Sequence, residues 1–195
     1  MRTRFITSAA QRAQFPDLGS PEIAFVGRSN VGKSSLLNVL ANAKIARTSR
    51  TPGRTQLVNF FEVATADQTV ALADLPGYGY AKVPKHVVRT WAPLIETYLE
   101  ARETIRATLL LIDVRREVQP DDVALFDYLS KVAKGEVWVV ATKADKLPKA
   151  KRKPAYNAIG AAFGLPPRSV VGTSASSRDG VDALWDRILD VSKTD

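Results

Sequence analysis

The sequence predicts an α/β fold: three layers, α/β/α, built on a six-stranded, mainly parallel sheet with one antiparallel edge strand. Three observations predict it. From Pro21 onward, short apolar runs alternate with stretches of helical periodicity, the pattern of a parallel sheet covered on both faces. One pair of runs is separated only by Ala64–Gln68, too short for a parallel crossover, so that pair is antiparallel. A glycine-rich turn joins the first run to the first helix.

The expected strands are Ile23–Val26, Leu57–Val63, Thr69–Ala73, Ala107–Ile112, Val137–Thr142 and Ser169–Gly172. Most are rich in Val, Ile, Leu or Phe and end in turn residues. Leu36, Leu37 and Leu40 share a helical face, as do Val87, Val88, Trp91, Leu94, Ile95, Tyr98 and Leu99. Pro93 kinks that second helix or begins it. Leu125, Tyr128, Leu129 and Val132 form a third stripe, and Val181, Leu184, Trp185, Ile188 and Leu189 the last. Pro148–Phe163 reads as a further helix with Pro154 inside it. Residues 1–20 read as an N-terminal arm ending in a loop, broken by Pro16, Gly19 and Pro21, and residues 21–195 as one domain.

A chain of 195 residues, 45% hydrophobic and 25% charged, suits one soluble domain with a real core. No apolar run is long enough to cross a bilayer, and the first residues lack the apolar core of a secretory signal. The absence of cysteine excludes disulfides, thiolate metal sites, cysteine nucleophiles and prenylation, and Arg2 excludes myristoylation. A cytoplasmic protein without a membrane partner is expected. The net charge of +8 points to nucleic acid or another anionic surface, with plain solubility as the competing reading.

Gly27-Arg28-Ser29-Asn30-Val31-Gly32-Lys33-Ser34 follows the first strand and opens the first helix. This is the phosphate-cradle pattern of P-loop nucleotide-binding proteins. Gly27 and Gly32 let the backbone turn its N–H groups inward on phosphate oxygens, and the helix adds its positive end. Lys33 would reach the β- and γ-phosphates, and Ser34 would place its hydroxyl on Mg²⁺.

The base is chosen elsewhere. Thr142-Lys143-Ala144-Asp145 ends the fifth strand. A fixed carboxylate offers only acceptors. Guanine presents two adjacent donors and adenine does not, so Asp145 selects GTP and GDP. Lys143 can lay its stem along the base plane. Ser174-Ala175-Ser176 would offer backbone N–H groups to the guanine carbonyl. Asp74-Leu75-Pro76-Gly77 follows the third strand; there Asp74 can hold Mg²⁺ through water, and the Gly77 N–H can touch the γ-phosphate. In Thr51-Pro52-Gly53-Arg54-Thr55 a threonine can close over the metal, and spacing alone does not choose between Thr51 and Thr55.

Residues 27–35, 47–56, 74–81 and 142–146 together resemble the EngB (YihA/YsxC) family of the Ras-like translation-factor class of GTPases. The resemblance runs from about Phe5 to the last helix, and Tyr78-Gly79-Tyr80 after the Asp-Leu-Pro-Gly turn is its most specific part. It implies a bacterial GTPase needed for assembly of the large ribosomal subunit and associated with cell division and septation. It implies a Ras-like G domain over residues 21–195, with Thr55 as the switch threonine on Mg²⁺ and Gly53, Arg54, Thr55, Gln56 and Leu57 as the switch loop. It implies GTP, GDP and Mg²⁺ as ligands and the large ribosomal subunit, through ribosomal RNA, as partner. A monomer is expected.

The residue after Gly77 orients the attacking water in Ras-like proteins. Tyr78 stands there, a poor substitute, so slow intrinsic hydrolysis is expected, with Lys33, Thr55 and Gly77 carrying what catalysis there is. Related GTPases use an asparagine at the position of Asn30 to hold K⁺; stabilisation of the loop turn is the equal alternative. Arg47, Arg50 and Arg54 flank the switch loop. Lys143, Lys146, Lys149, Lys151, Arg152 and Lys153 form a second basic cluster, suited to RNA or to a solvated helix face. His86 suits a surface or capping role. Two other functions compete: a P-loop kinase for a small molecule, in which Thr-Lys-Ala-Asp would have no role, and a membrane-trafficking GTPase, which the absent lipidation sites oppose.

Overall fold

The computed structural model describes residues 1–46, 57–78 and 92–193. Within them, the strands are β1 (Arg2–Ala9), β2 (Glu22–Gly27), β3 (Val58–Ala64), β4 (Thr69–Asp74), β5 (Ile105–Asp113), β6 (Glu136–Thr142) and β7 (Val171–Gly172). The helices are α1 (Lys33–Leu40), α2 (Ala92–Ala101), α3 (Pro120–Val132), α4 (Lys149–Ala162) and α5 (Val181–Val191). The strand order is β1-β3-β4-β2-β5-β6-β7.

The described sheet therefore has seven strands where the sequence pattern gives six. The added strand is Arg2–Ala9, inside the expected arm. It pairs antiparallel with β3 from Arg2 opposite Ala64 to Ala9 opposite Val58, with an irregularity between Phe5 and Thr7. This moves the antiparallel strand off the edge: β3 runs against both β1 and β4, and β1 takes the rim. Expected Ser169–Gly172 shrinks to Val171–Gly172, because the Ser169 N–H turns back to the Pro166 carbonyl at 3.3 Å. Pro93 stands in the first turn of α2, where a missing N–H costs nothing. Val87, Val88 and Trp91 of that stripe, and His86, lie outside the described residues.

Alternation along the strands sorts side chains to two faces. Ile23 and Phe25 of β2 join Leu36, Leu37 and Leu40 of α1 and Val181, Leu184 and Ile188 of α5. Ala24 and Val26 face the other way, onto Ile95, Tyr98 and Leu99 of α2, Leu125 and Leu129 of α3, and Ile159 of α4. These are the three expected layers.

Both ends of the central strand β2 carry polar chemistry, of different kinds. At its start, Glu22 is fully buried. It accepts from Tyr98 Oη at 3.0 Å, from Arg102 Nε at 2.7 Å, and from Thr104. Arg102 also donates to the Pro16 carbonyl at 2.7 Å, tying the end of α2 to the segment before β2. That end is closed and satisfied. At the opposite edge the parallel strands finish at Gly27, Asp74, Asp113, Thr142 and Gly172. The carboxyl edge of such a sheet is where α/β proteins place ligands.

Candidate nucleotide site

The turn after β2 is shaped by backbone conformations that few residues tolerate. Gly32 has φ +108° and Asn30 φ +64°. At Gly27 the constraint is space, since a Cβ would stand 2.9 Å from Val31 Cγ1 and 3.0 Å from Leu111 Cβ. The loop is fixed from three sides. Val31 N–H bonds the Arg28 carbonyl at 3.1 Å, Ser29 N–H bonds the Tyr78 carbonyl at 3.0 Å, and the Thr142 hydroxyl donates to the Val31 carbonyl at 2.6 Å. The loop thus runs straight into α1, with Lys33 first and Ser34 second in that helix.

Lys33 and Asp74 meet, although the chain separates them widely. The Lys33 ammonium is ion-paired with Asp74 Oδ1, and the side chains are 12% and 7% exposed. The turn after β4 lies against the cradle. Leu75 N–H bonds the Phe25 carbonyl at 3.0 Å, Leu75 and Pro76 are buried, and a Cβ at Gly77 would stand 3.1 Å from Ser29 Oγ.

On the other side of the cradle, Lys143 is left-handed with φ +59°. Ala144 N–H bonds the Thr173 carbonyl at 3.0 Å, which holds the turn after β6 to the loop after β7. Ser174 is fully buried and donates its hydroxyl to Asp145 Oδ1 at 2.7 Å. The same hydroxyl accepts the N–H groups of Ser176 at 3.2 Å and Ser177 at 3.1 Å. Asp145 is held down at about 2, chiefly by the Ser174 bond, with Lys146 and Ser176 adding to it against a desolvation effect of opposite sign. It is an anion with a fixed orientation. Ser174 N–H goes to the Asp179 carbonyl at 2.9 Å.

Between these parts lies a pocket of about 300 Å³. Gly32 of the cradle, Thr142, Lys143 and Asp145 of the β6 turn, and Ala175 and Ser176 of the last loop all line it. Ser35, Leu36, Lys146 and Thr173 complete the wall. The volume is at the lower end of ligand pockets. The structure therefore brings together three segments that the sequence reading names separately. Leu57 stands half-buried just before β3. Gly53, Arg54, Thr55 and Gln56, together with Arg47, Arg50, Thr51, Gly79 and Tyr80, lie outside the described residues.

Two acidic residues at this edge carry no sequence motif. Asp113, at the end of β5, is ion-paired with Lys143 at 2.9 Å and with Arg115 at 2.7 Å. Burial pushes its carboxyl up, but hydrogen bonds from Arg115 and Lys143 outweigh that and hold it well below the usual range. Asp122, on α3, accepts the Tyr78 hydroxyl at 2.8 Å and the Gln119 N–H at 2.9 Å. Arg28 lies 3.6 Å from the same carboxylate and 5.9 Å from the centre of the Tyr78 ring. Tyr78, 1% exposed, is packed toward α3. Asp113 is the last residue of β5 and Asp122 stands in the first turn of α3, and no motif marks either position in the sequence.

A model of the family described as 50S ribosome-binding GTPase matches residues 22–143. A probable GTP-binding protein EngB of Trichlorobacter lovleyi is 45% identical over 195 residues, covering 100% of this chain and 97% of its own. The probable GTP-binding protein EngB of Geobacter sulfurreducens is 47% identical, covering 94% of this chain and 88% of its own. Among solved structures, a probable GTP-binding protein engB superposes with a TM-score of 0.67 at 26% identity, over 87% of this chain and 97% of that one. Era, solved with MgGDPNP and a segment of 16S ribosomal RNA, gives a TM-score of 0.72 at 26% identity, over 90% of this chain and 57% of that one.

Proposed function

The chain belongs to the EngB family of GTP-binding proteins, and from that premise we propose that it is a nucleotide-controlled switch in assembly of the large ribosomal subunit. It is a GTPase of the P-loop class; binding is its output and hydrolysis its reset. One observation carries the assignment of the site. The cradle, the Asp145 turn and the Ser174 loop close on one pocket, with an ionised acid where a purine edge would lie.

In this reading the loop amides and Lys33 hold the β- and γ-phosphates, and the Gly77 N–H senses the γ-phosphate. Asp145 accepts from the two guanine donors, and the Ala175 amide faces the guanine carbonyl. Ser34 and Asp74 fit Mg²⁺. One opens α1 beside Lys33, the other ion-pairs with Lys33, so both oxygen donors border the same cradle. Among the described residues no group of three His, Cys, Asp or Glu side chains could hold a metal. An Mg²⁺ held by Ser34 and Asp74 would take its remaining ligands from phosphate oxygens and water. When bound, the ion neutralises charge on the phosphates. By the family resemblance, Thr55, outside the described residues, would add its hydroxyl to the ion when GTP is bound.

Hydrolysis is slow because the Tyr78 hydroxyl is committed to Asp122. Asn30 is exposed and left-handed, and its carbonyl accepts the Lys143 ammonium at 2.6 Å. Among the described residues its side chain makes no hydrogen bond, which leaves it for K⁺. A GTPase rate several-fold higher in K⁺ than in Na⁺ supports that use, and equal rates remove it.

The ribosomal partner is supported by the matched family's description and by the charge. Within the second basic cluster, Lys143, Lys146 and Arg152 are paired with Asp113, Asp145 and Asp179. Lys149, Lys151 and Lys153 are exposed on α4 and have no ion pair among the described residues. Era, of which this chain covers 57%, was solved in complex with a segment of 16S ribosomal RNA. The family's link to cell division and septation comes with the same reading, as does a cytoplasmic site of action.

Co-sedimentation with ribosomal subunits tests the proposal. Binding to the large subunit should be stronger with a non-hydrolysable GTP analogue than with GDP and should fall steeply with salt. Indifference to the nucleotide, or a flat salt profile, counts against it.

A further inference from the structure

Asp113 ends β5 at the nucleotide edge of the sheet, yet belongs to none of the nucleotide motifs. Its side chain is 4% exposed and serves two cations. Lys143 Nζ lies 2.9 Å from Oδ2. Arg115 takes both oxygens, Nε to Oδ1 at 2.9 Å and Nη2 to Oδ2 at 2.7 Å, and its own N–H donates to Oδ1 at 3.1 Å. The Lys143 ammonium makes one more bond, to the Asn30 carbonyl at 2.6 Å. Its stem passes the end of the cradle, since a Cβ built on Gly32 would stand 3.5 Å from Lys143 Cε.

A lysine stem is long and flexible, and it makes a flat wall only if its far end is held. Asn30 offers a neutral carbonyl. Asp113 supplies the opposite charge, in a nearly buried place where such a pair is little screened. We propose that Asp113 is a positioning residue of the nucleotide site: it pins the Lys143 ammonium to the phosphate loop and so keeps the lysine stem pre-set for the guanine base. The proposal rests on Lys143 and Asp145 being the base-binding residues. Arg115 closes the outer side of Asp113 and takes no part in holding the base. The competing role for Asp113 is to stabilise only the turn it shares with Arg115.

The two roles predict different kinetics. Asp113 does not reach the base or the reacting phosphate. Loosening Lys143 therefore weakens ground state and transition state alike, raising KM with kcat unchanged. Preference among bases stays with Asp145.

The experiment measures kcat and KM for GTP, with GDP and ATP as competitors, for the whole protein and for Asp113→Asn, Arg115→Ala, Lys143→Ala and the double variant Asp113→Asn/Lys143→Ala. Asp113→Asn should raise the KM for GTP and weaken GDP binding about tenfold. Its kcat should stay within about twofold and its discrimination against ATP should stay intact. The double variant should bind no worse than Lys143→Ala, and Arg115→Ala should shift KM by less than about twofold. An unchanged KM in Asp113→Asn overturns the proposal. So does full additivity with Lys143→Ala, or an Arg115→Ala effect as large as that of Asp113→Asn. If Asp113→Asn alone does not fold, the double variant against Lys143→Ala decides: equal affinity supports the pin and a further loss overturns it. A wild-type protein indifferent between GTP and ATP, or a silent Lys143→Ala, would overturn the base-site reading and the pin with it.

Discussion

Tyr78 and Asp122 are joined by a buried hydrogen bond of 2.8 Å that ties the turn after β4 to the first turn of α3. Burial, reinforced by the Asp122 charge, pushes the Tyr78 phenol far above its ordinary range, so it stays a neutral donor. The Tyr78 side chain, next after Gly77, is thus directed at α3.

Removing the Tyr78 hydroxyl should therefore affect stability more than catalysis. Tyr78→Phe should cost about 1–2 kcal/mol, because Asp122 loses one buried donor while keeping the Gln119 N–H. Its kcat for GTP should remain within about twofold. Urea unfolding and single-turnover hydrolysis measure the two; a kcat loss of about a hundredfold would mean that the phenol acts on the attacking water.

Gly27 has no room for a side chain. A Cβ there would press on Val31 Cγ1 at 2.9 Å and on the Leu111 carbonyl at 3.1 Å. Gly27 ends β2 and pairs with Leu111 of β5, so relief requires both the strand end and Val31 of the loop to shift. Gly27→Ala should cost about 1–3 kcal/mol of stability and lower GTP and GDP affinity together. Full nucleotide affinity in a folded Gly27→Ala protein would show that the loop need not hold this shape.

Acid should weaken the fold through named carboxylates. Asp113, Asp145 and Asp179 all have lowered folded-state values, Asp113 and Asp179 through hydrogen bonds from Arg115 and Arg152, and Asp145, at about 2, through Ser174. The unfolded chain binds protons on these groups first, near the ordinary value of about 3.9. Their contribution is complete above that pH and is lost as pH falls through the folded values. Thermal unfolding from pH 6 down to pH 2.5 should show Tm dropping mainly below about pH 4. Asp145→Asn should flatten part of that drop, and an unaltered profile would contradict the assignment.

Much of this architecture is legible in the sequence, because its parallel strands are continuous apolar runs and its cradle has an obligatory glycine spacing. β1 is not. Arg2, Thr3, Arg4, Thr7 and Ser8 show no apolar alternation, and the strand exists because β3 offers a ladder and Asn59 accepts the Ser8 hydroxyl at 2.6 Å. Asp145 and Ser174 are legible one by one; their 2.7 Å bond is not, since it depends on how β6 and β7 end side by side. Asp113 and Asp122 are silent in sequence. Their roles come from partners at positions 143 and 78, which only the folded sheet brings near.

The most direct measurement of the central claim is nucleotide selectivity in Asp145→Asn. The substitution exchanges one acceptor oxygen for an amide donor and leaves the other oxygen for Ser174. Xanthine carries a carbonyl where guanine carries its amino group. Competition binding should show GTP affinity falling by about a hundredfold or more while XTP affinity rises. Undiminished GTP preference in a folded Asp145→Asn protein would place the base somewhere other than the pocket between the phosphate cradle and the Asp145 turn.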